Sequence, residues 1–184
     1  MPYSAAMSHI VRPLVVALAA TIGDFIWFEY GVGHTTMAGV THGAVLLLVV
    51  GVVLGHAAGA IARGSLGGIV AGVMGAGAFY ATFGTLGFTG GLMAAWAFMW
   101  VVLAAINAWL RGRVGHTGEW IVRGAIAAIA SGAAFFLVSG IWTDHATETN
   151  RNYVWHLVAW TIAWAPGLMA LTFVPARQWA SLPN

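Results

Sequence analysis

The sequence predicts an all-α protein, a polytopic bundle of about six transmembrane helices. Three observations predict it. Of 184 residues, 60% are hydrophobic and only 7% are charged. A water-soluble domain carries roughly 25% charged residues, and its outer face must be wetted, so a chain this apolar needs a bilayer around it. The apolar residues also gather into six stretches, each near the roughly 20 residues that a spanning helix requires. The whole chain, 1–184, therefore reads as a single transmembrane domain.

The six stretches cover about 13–32, 37–62, 65–88, 91–110, 120–142 and 153–174. Pro13 suits the first turn of the first helix, where its missing N–H costs nothing. Pro166 lies inside the sixth and is expected to kink it. The third and fourth are separated only by the short uncharged run 87–91. The first apolar run contains Asp24 and Glu29, unlike the core of a cleaved signal, and is expected to be retained.

Arginine placement orients the bundle. The chain has no lysine, so all seven basic residues are arginines. Six spans put Arg12, Arg63, Arg111, Arg113, Arg123 and Arg177 on one side and Arg151 alone on the other. By the positive-inside rule both termini are cytoplasmic, as expected of a plasma (inner) membrane protein. The net charge of only +2 then reflects this loop bias and no nucleic-acid surface.

An internal parallel repeat is a further expectation. Residues 11–36 align without gaps onto 122–147, with Arg12 matching Arg123 and His34 matching His145. Each copy is followed by a histidine at the start of the next helix, His42 and His156. Small residues mark the third stretch (Gly68, Gly72, Gly75) and the fifth (Gly124, Ala128, Ser131). Such faces let helices approach closely. Packing inside one bundle is the expected use, and contact with a second copy or with subunits of a membrane complex is the alternative. Trp120, Trp142 and Trp155 fall at span ends, where indoles belong. Trp160 and Trp164, one turn apart, are expected to pack or to line a pocket.

The chemistry is expected at the outer face. No cysteine is present, which excludes thiolate sites and disulfides. Asp24 lies roughly 18 Å beyond Arg12 along the first helix, past the middle of a ~30 Å hydrocarbon core. Glu29, His34 and His42 follow toward the outer surface, and Asp144, His145, Glu148 and His156 belong to the same side. Imidazole and carboxylate are the ligands of zinc, copper and iron, so His34, His42, His145, His156 and Glu29 form a candidate metal site. His42 and His156 are also candidate haem ligands. Asp24 and Glu29 alternatively line an ion or proton path, because intramembrane carboxyls usually face a bundle interior or an aqueous cavity. His56 shares a helix face with His42 but lies roughly 21 Å away, too far for one ion. Asn107 is expected to make an interhelical hydrogen bond.

Three functional classes follow, with lipid as the one certain partner and nucleic acid excluded. The first is a metal- or haem-binding membrane protein, redox or hydrolytic. The second is a small transporter or channel, and the third a structural subunit of a larger complex.

Overall fold

The structure, a computed structural model, describes residues 2–31, 35–138 and 152–173. Among the described residues there are five helices: α1 (Pro2–Glu29), α2 (Thr36–Ala57), α3 (Ile61–Leu110), α4 (Thr117–Val138) and α5 (Tyr153–Thr172). Among the described residues there is no strand. Each helix is long and apolar enough to cross a membrane, consistent with an integral membrane protein. The outward faces agree: Ile129 is 74% exposed and Leu137 82%, positions that water would not tolerate repeatedly on one helix but lipid does.

Helix α1 begins at Pro2, earlier than the start expected at Pro13. Pro13 instead sits inside the helix, where His9 loses its i+4 amide donor. The preceding residues hold no helix breaker, so the chain absorbs that loss and α1 extends back. Thr35 caps α2, its hydroxyl accepting from the Ala38 amide at 3.2 Å. The α2–α3 turn passes through Gly59, whose φ of +68° suits only glycine well.

Helix α3 is 50 residues long but is not one rod. Gly87 has φ 68° and ψ −175°, a region open essentially to glycine alone. The chain folds back there. A Cβ on Gly91 would lie 3.2 Å from the Cα of Phe83, whereas eight residues of straight helix span roughly 12 Å. A Cβ on Gly75 would likewise stand 3.7 Å from Met99 Cβ. The element therefore has two antiparallel arms, 61–86 and 88–110, and the run 87–91 shrinks to a one-residue reversal.

Glycines join α2 to the first arm of α3. A Cβ on Gly68 would meet Gly51 Cα at 2.9 Å, and one on Gly64 would meet Gly55 Cα at 2.6 Å. Gly72 meets the backbone of Gly43 and Ala44 in the same way. The Gly68 and Gly72 face is thus taken up inside the chain. Gly124 of α4 packs on Ala104 of α3, and the Ser131 hydroxyl donates to the Ala163 carbonyl of α5.

Helix α5 lies between α1 and α4, antiparallel to both. Its Trp160 and Trp164 are buried with Trp96 and Trp100 of the second α3 arm. Trp96 and Trp164 have ring centroids 4.9 Å apart, Trp100 and Trp164 5.4 Å. Trp100 rests in the notch left by Gly167. Trp160 and Trp164 are therefore core residues. Asn107 donates to the Leu171 carbonyl at 3.0 Å, the expected interhelical bond. Helix α5 continues through Pro166.

The bundle is polarised. At one end Arg63 lies over the Trp109 ring, and Arg113 and Arg123 share Glu119. Arg12 and Arg111 stand near each other there too. The five described arginines thus all collect at one end. Asp24, Glu29, Tyr153 and His156 lie toward the other.

Candidate functional site

The site grows from one turn of α1 and one of α5. Asp24 is on the inward face of α1, in line with Ala17 and Ala20, which are fully buried. Small residues there bring α5 close to the α1 backbone. Helix α5 is capped by the Asn152 side chain, which accepts from the Trp155 amide. The cap fixes the helix start, and His156 and Trp160 follow one turn apart on the face toward α1.

Asp24 Oδ2 lies 2.7 Å from His156 Nδ1 and accepts from Trp160 Nε1 at 2.6 Å. Asp24 is 8% exposed and His156 1%. A lone carboxylate at this depth would cost a few kcal/mol. Two short bonds to one oxygen offset that cost and join α1 to α5. The indole can only donate, so the carboxylate oxygen is the acceptor in that bond. The imidazole can hold or release a proton at Nδ1.

The surroundings of His156 are aromatic. Phe28 meets its ring edge-on at 6.0 Å and Tyr153 at 5.4 Å between centroids. The Tyr153 hydroxyl donates to Glu29 Oε1 at 2.8 Å, and Glu29 is exposed. A series of protonatable groups therefore leads inward from the surface: Glu29, Tyr153, His156 and Asp24. Below Trp160 the way is filled by Trp96, Trp100 and Trp164, whose buried indole N–H groups have no acceptor among the described residues.

His42 is near this cluster but outside it. It is half-buried, its ring against Gly23, where a Cβ would lie 2.7 Å from Cε1. Trp27 meets it edge-on at 5.6 Å. His42 and His156 thus touch neighbouring residues of α1, Gly23 and Asp24, from two different helices. Beside His42 a cavity of about 360 Å³ opens between α1 and α2, lined by Gly23, Trp27, Thr35, Met37 and Thr41.

Of the expected metal ligands, Glu29, His42 and His156 are described, and His34 and His145 lie outside the described residues, as do Asp144 and Glu148. Among the described residues no three His, Asp or Glu side chains are grouped to hold one metal ion. Glu29 is bonded to Tyr153, and Asp24 is bonded to His156 Nδ1. His56 is exposed at the end of α2. Sequence reasoning did not find Trp160 and Tyr153 as partners of the acids. The available signal was their spacing, three before and four after His156 on one helix face.

No protein-family model, no curated protein and no solved structure matches this chain significantly.

Proposed function

We propose that this is an integral membrane protein of six spans with both termini on the cytoplasmic side, which binds and exchanges a proton at the buried Asp24–His156 pair. One observation carries the reading: a membrane-buried carboxylate oxygen bonded at once to an imidazole and an indole. With a proton shared between Asp24 and His156 the pair is neutral. When the proton leaves, the carboxylate remains and keeps the Trp160 N–H, which has no proton to take or give further. Toward the surface, the Tyr153 ring contacts His156 and its hydroxyl donates to exposed Glu29. The tryptophans below block a continuous polar path, so the reading is a carrier, in which helix movement opens the second side. This is the small-transporter class with Asp24 and Glu29 on the proton path.

The test is proton movement in vesicles. Purified protein reconstituted with an internal pH dye should relax an imposed pH gradient, and Asp24→Asn should abolish this. Infrared difference spectra after a pH change should contain a protonated-carboxyl band that Asp24→Asn removes. Unchanged flux and an unchanged band in that variant would overturn the proposal.

A second reading rests on the same pair. A carboxylate bonded to Nδ1 of a histidine is the partner that usually orients a metal-bound imidazole. His156 would then be a ligand for a transition metal (zinc, copper or iron) or haem, with His42, His34 or His145 completing the set. Metal analysis and an absorption spectrum separate the readings. Bound metal or a Soret band lost on His156→Ala favours the second.

A further inference from the structure

The arginine end holds a charge imbalance that the proposed proton site does not use. Glu119 accepts from Arg113, with an ion-pair distance of 3.2 Å, and from Arg123 at 3.1 Å. Arg123 also donates to the Ala170 and Phe173 carbonyls at the end of α5. Arg111 has only a neutral acceptor among the described residues, the Asn107 side chain at 3.2 Å. Burial, together with Arg12, Arg123 and Arg113, holds its pKa below the usual arginine value. Three guanidinium groups, Arg111, Arg113 and Arg123, thus line one cavity with a single carboxylate, Glu119, and Arg12 stands near Arg111.

Among the described residues no other acidic side chain stands with them. Asp24 and Glu29 belong to the far half of α1, and Asp144 and Glu148 lie outside the described residues. Unpaired guanidiniums that lose water call for an anion with several acceptor oxygens, and their planar forks match phosphate.

Two cavities meet here. The first, about 40 Å³, is lined by Asn107, Arg111, Arg113, His116, Glu119 and Arg123. At the 10–15 Å³ that one water needs, it has room for roughly three, about what the free oxygens of a phosphate fill. The second is an apolar groove of about 720 Å³ between α4 and α5, along Val122, Ile126, Pro166 and Met169. Glu119, Arg123 and Phe173 line both. A free phosphate would explain the cavity without the groove. An apolar partner would explain the groove without the arginines.

We infer that this end binds one anionic phospholipid, its phosphate held by Arg111, Arg113 and Arg123 and an acyl chain lying along Val122, Ile126 and Met169. The arginines stand where the apolar spans end, the level of the headgroups. An anionic lipid is favoured over a zwitterionic one because only the first brings net negative charge to the surplus guanidiniums.

The test uses the intact protein in a non-ionic detergent, titrated with dioleoylphosphatidylglycerol or dioleoylphosphatidylcholine and read by native mass spectrometry. Phosphatidylglycerol should be retained about tenfold better. Arg111→Gln, which can still bond Asn107, should lower its retention about fivefold, and Arg111→Lys should lower it less. Ile126→Trp, which fills the groove, should weaken phosphatidylglycerol while leaving the displacement of a dye by inorganic phosphate unchanged. Equal retention of the two lipids would overturn the inference. So would inorganic phosphate that competes as well as the lipid with no effect of Ile126→Trp, which would leave a free-anion site. If Arg111→Gln does not fold, Arg111→Lys and Ile126→Trp decide between the same outcomes.

Discussion

Asp24 shows how one residue can define a site. Its Oδ2 bonds two side chains of a single neighbouring helix, so its removal takes one partner from both a buried imidazole and a buried indole. Breaking a buried charged pair by deleting one partner typically costs about 3–5 kcal/mol. We expect Asp24→Ala to destabilise the bundle by about 3 kcal/mol, and Asp24→Asn by less, because an amide oxygen still accepts. Trp160→Phe keeps the ring in the aromatic core and removes only the donor, for a loss of about 1–2 kcal/mol. Thermal unfolding in detergent would check the order; if Trp160→Phe cost as much as Asp24→Ala, the indole bond and not the carboxylate would be the main tie. The same residue was conspicuous in the sequence, since an acid at that depth must find partners. Its partners were not, because nothing in a linear string says which helix α1 will meet.

At the scale of elements, glycine decides the two closest features. Gly87 makes the reversal of α3 with φ 68°. A side chain in that conformation costs of order 1–3 kcal/mol, and Gly87→Ala should lower stability by about that much. The loss would appear as a lower unfolding temperature, and an unchanged one would mean that the turn can adopt another form. The α2–α3 contact is less forgiving. A Cβ on Gly51 would lie 2.8 Å from Gly68 Cα, backbone that cannot rotate away. Gly51→Val should therefore push the helices apart and leave little folded protein on size-exclusion chromatography, whereas Gly77→Ala, with open space at its Cβ, should be silent. The small-residue pattern was visible in the sequence as a close-packing face. That α2 covers it, and not a second copy, was not, since either partner would be served by the same glycines.

For the whole molecule, the polarity of the bundle is the feature that topology must satisfy. The five described arginines share one end, and the Asp24–His156 pair lies toward the other. Under the six-span proposal, reporter fusions after Arg63, Arg113 and Asn184 should all read cytoplasmic. A periplasmic reading at Asn184 would remove the sixth span. The two ends also give separable phenotypes: Asp24→Asn should stop proton movement without changing lipid retention, and Arg111→Gln the reverse. Joint loss in both variants would indicate a general failure to fold.

The sequence by itself determined the class of protein, the helical stretches, the polarity of charge and the list of polar residues that apolar surroundings would force into pairs. These follow from composition and periodicity, because the cost of burying charge and the length of a span are local properties. Asn107 belongs to that set: its interhelical bond was expected, though not its acceptor. Only the tertiary structure decided that Asp24 meets His156 and Trp160, that Glu29 turns to Tyr153, and that His42 stays outside the pair against Gly23. It also brought Arg12 and Arg123, residues drawn from α1 and α4, near Arg111. Such juxtapositions depend on which helix faces which. Helix order in space is set by the summed packing of many similar apolar faces, and no short segment of the chain carries that sum.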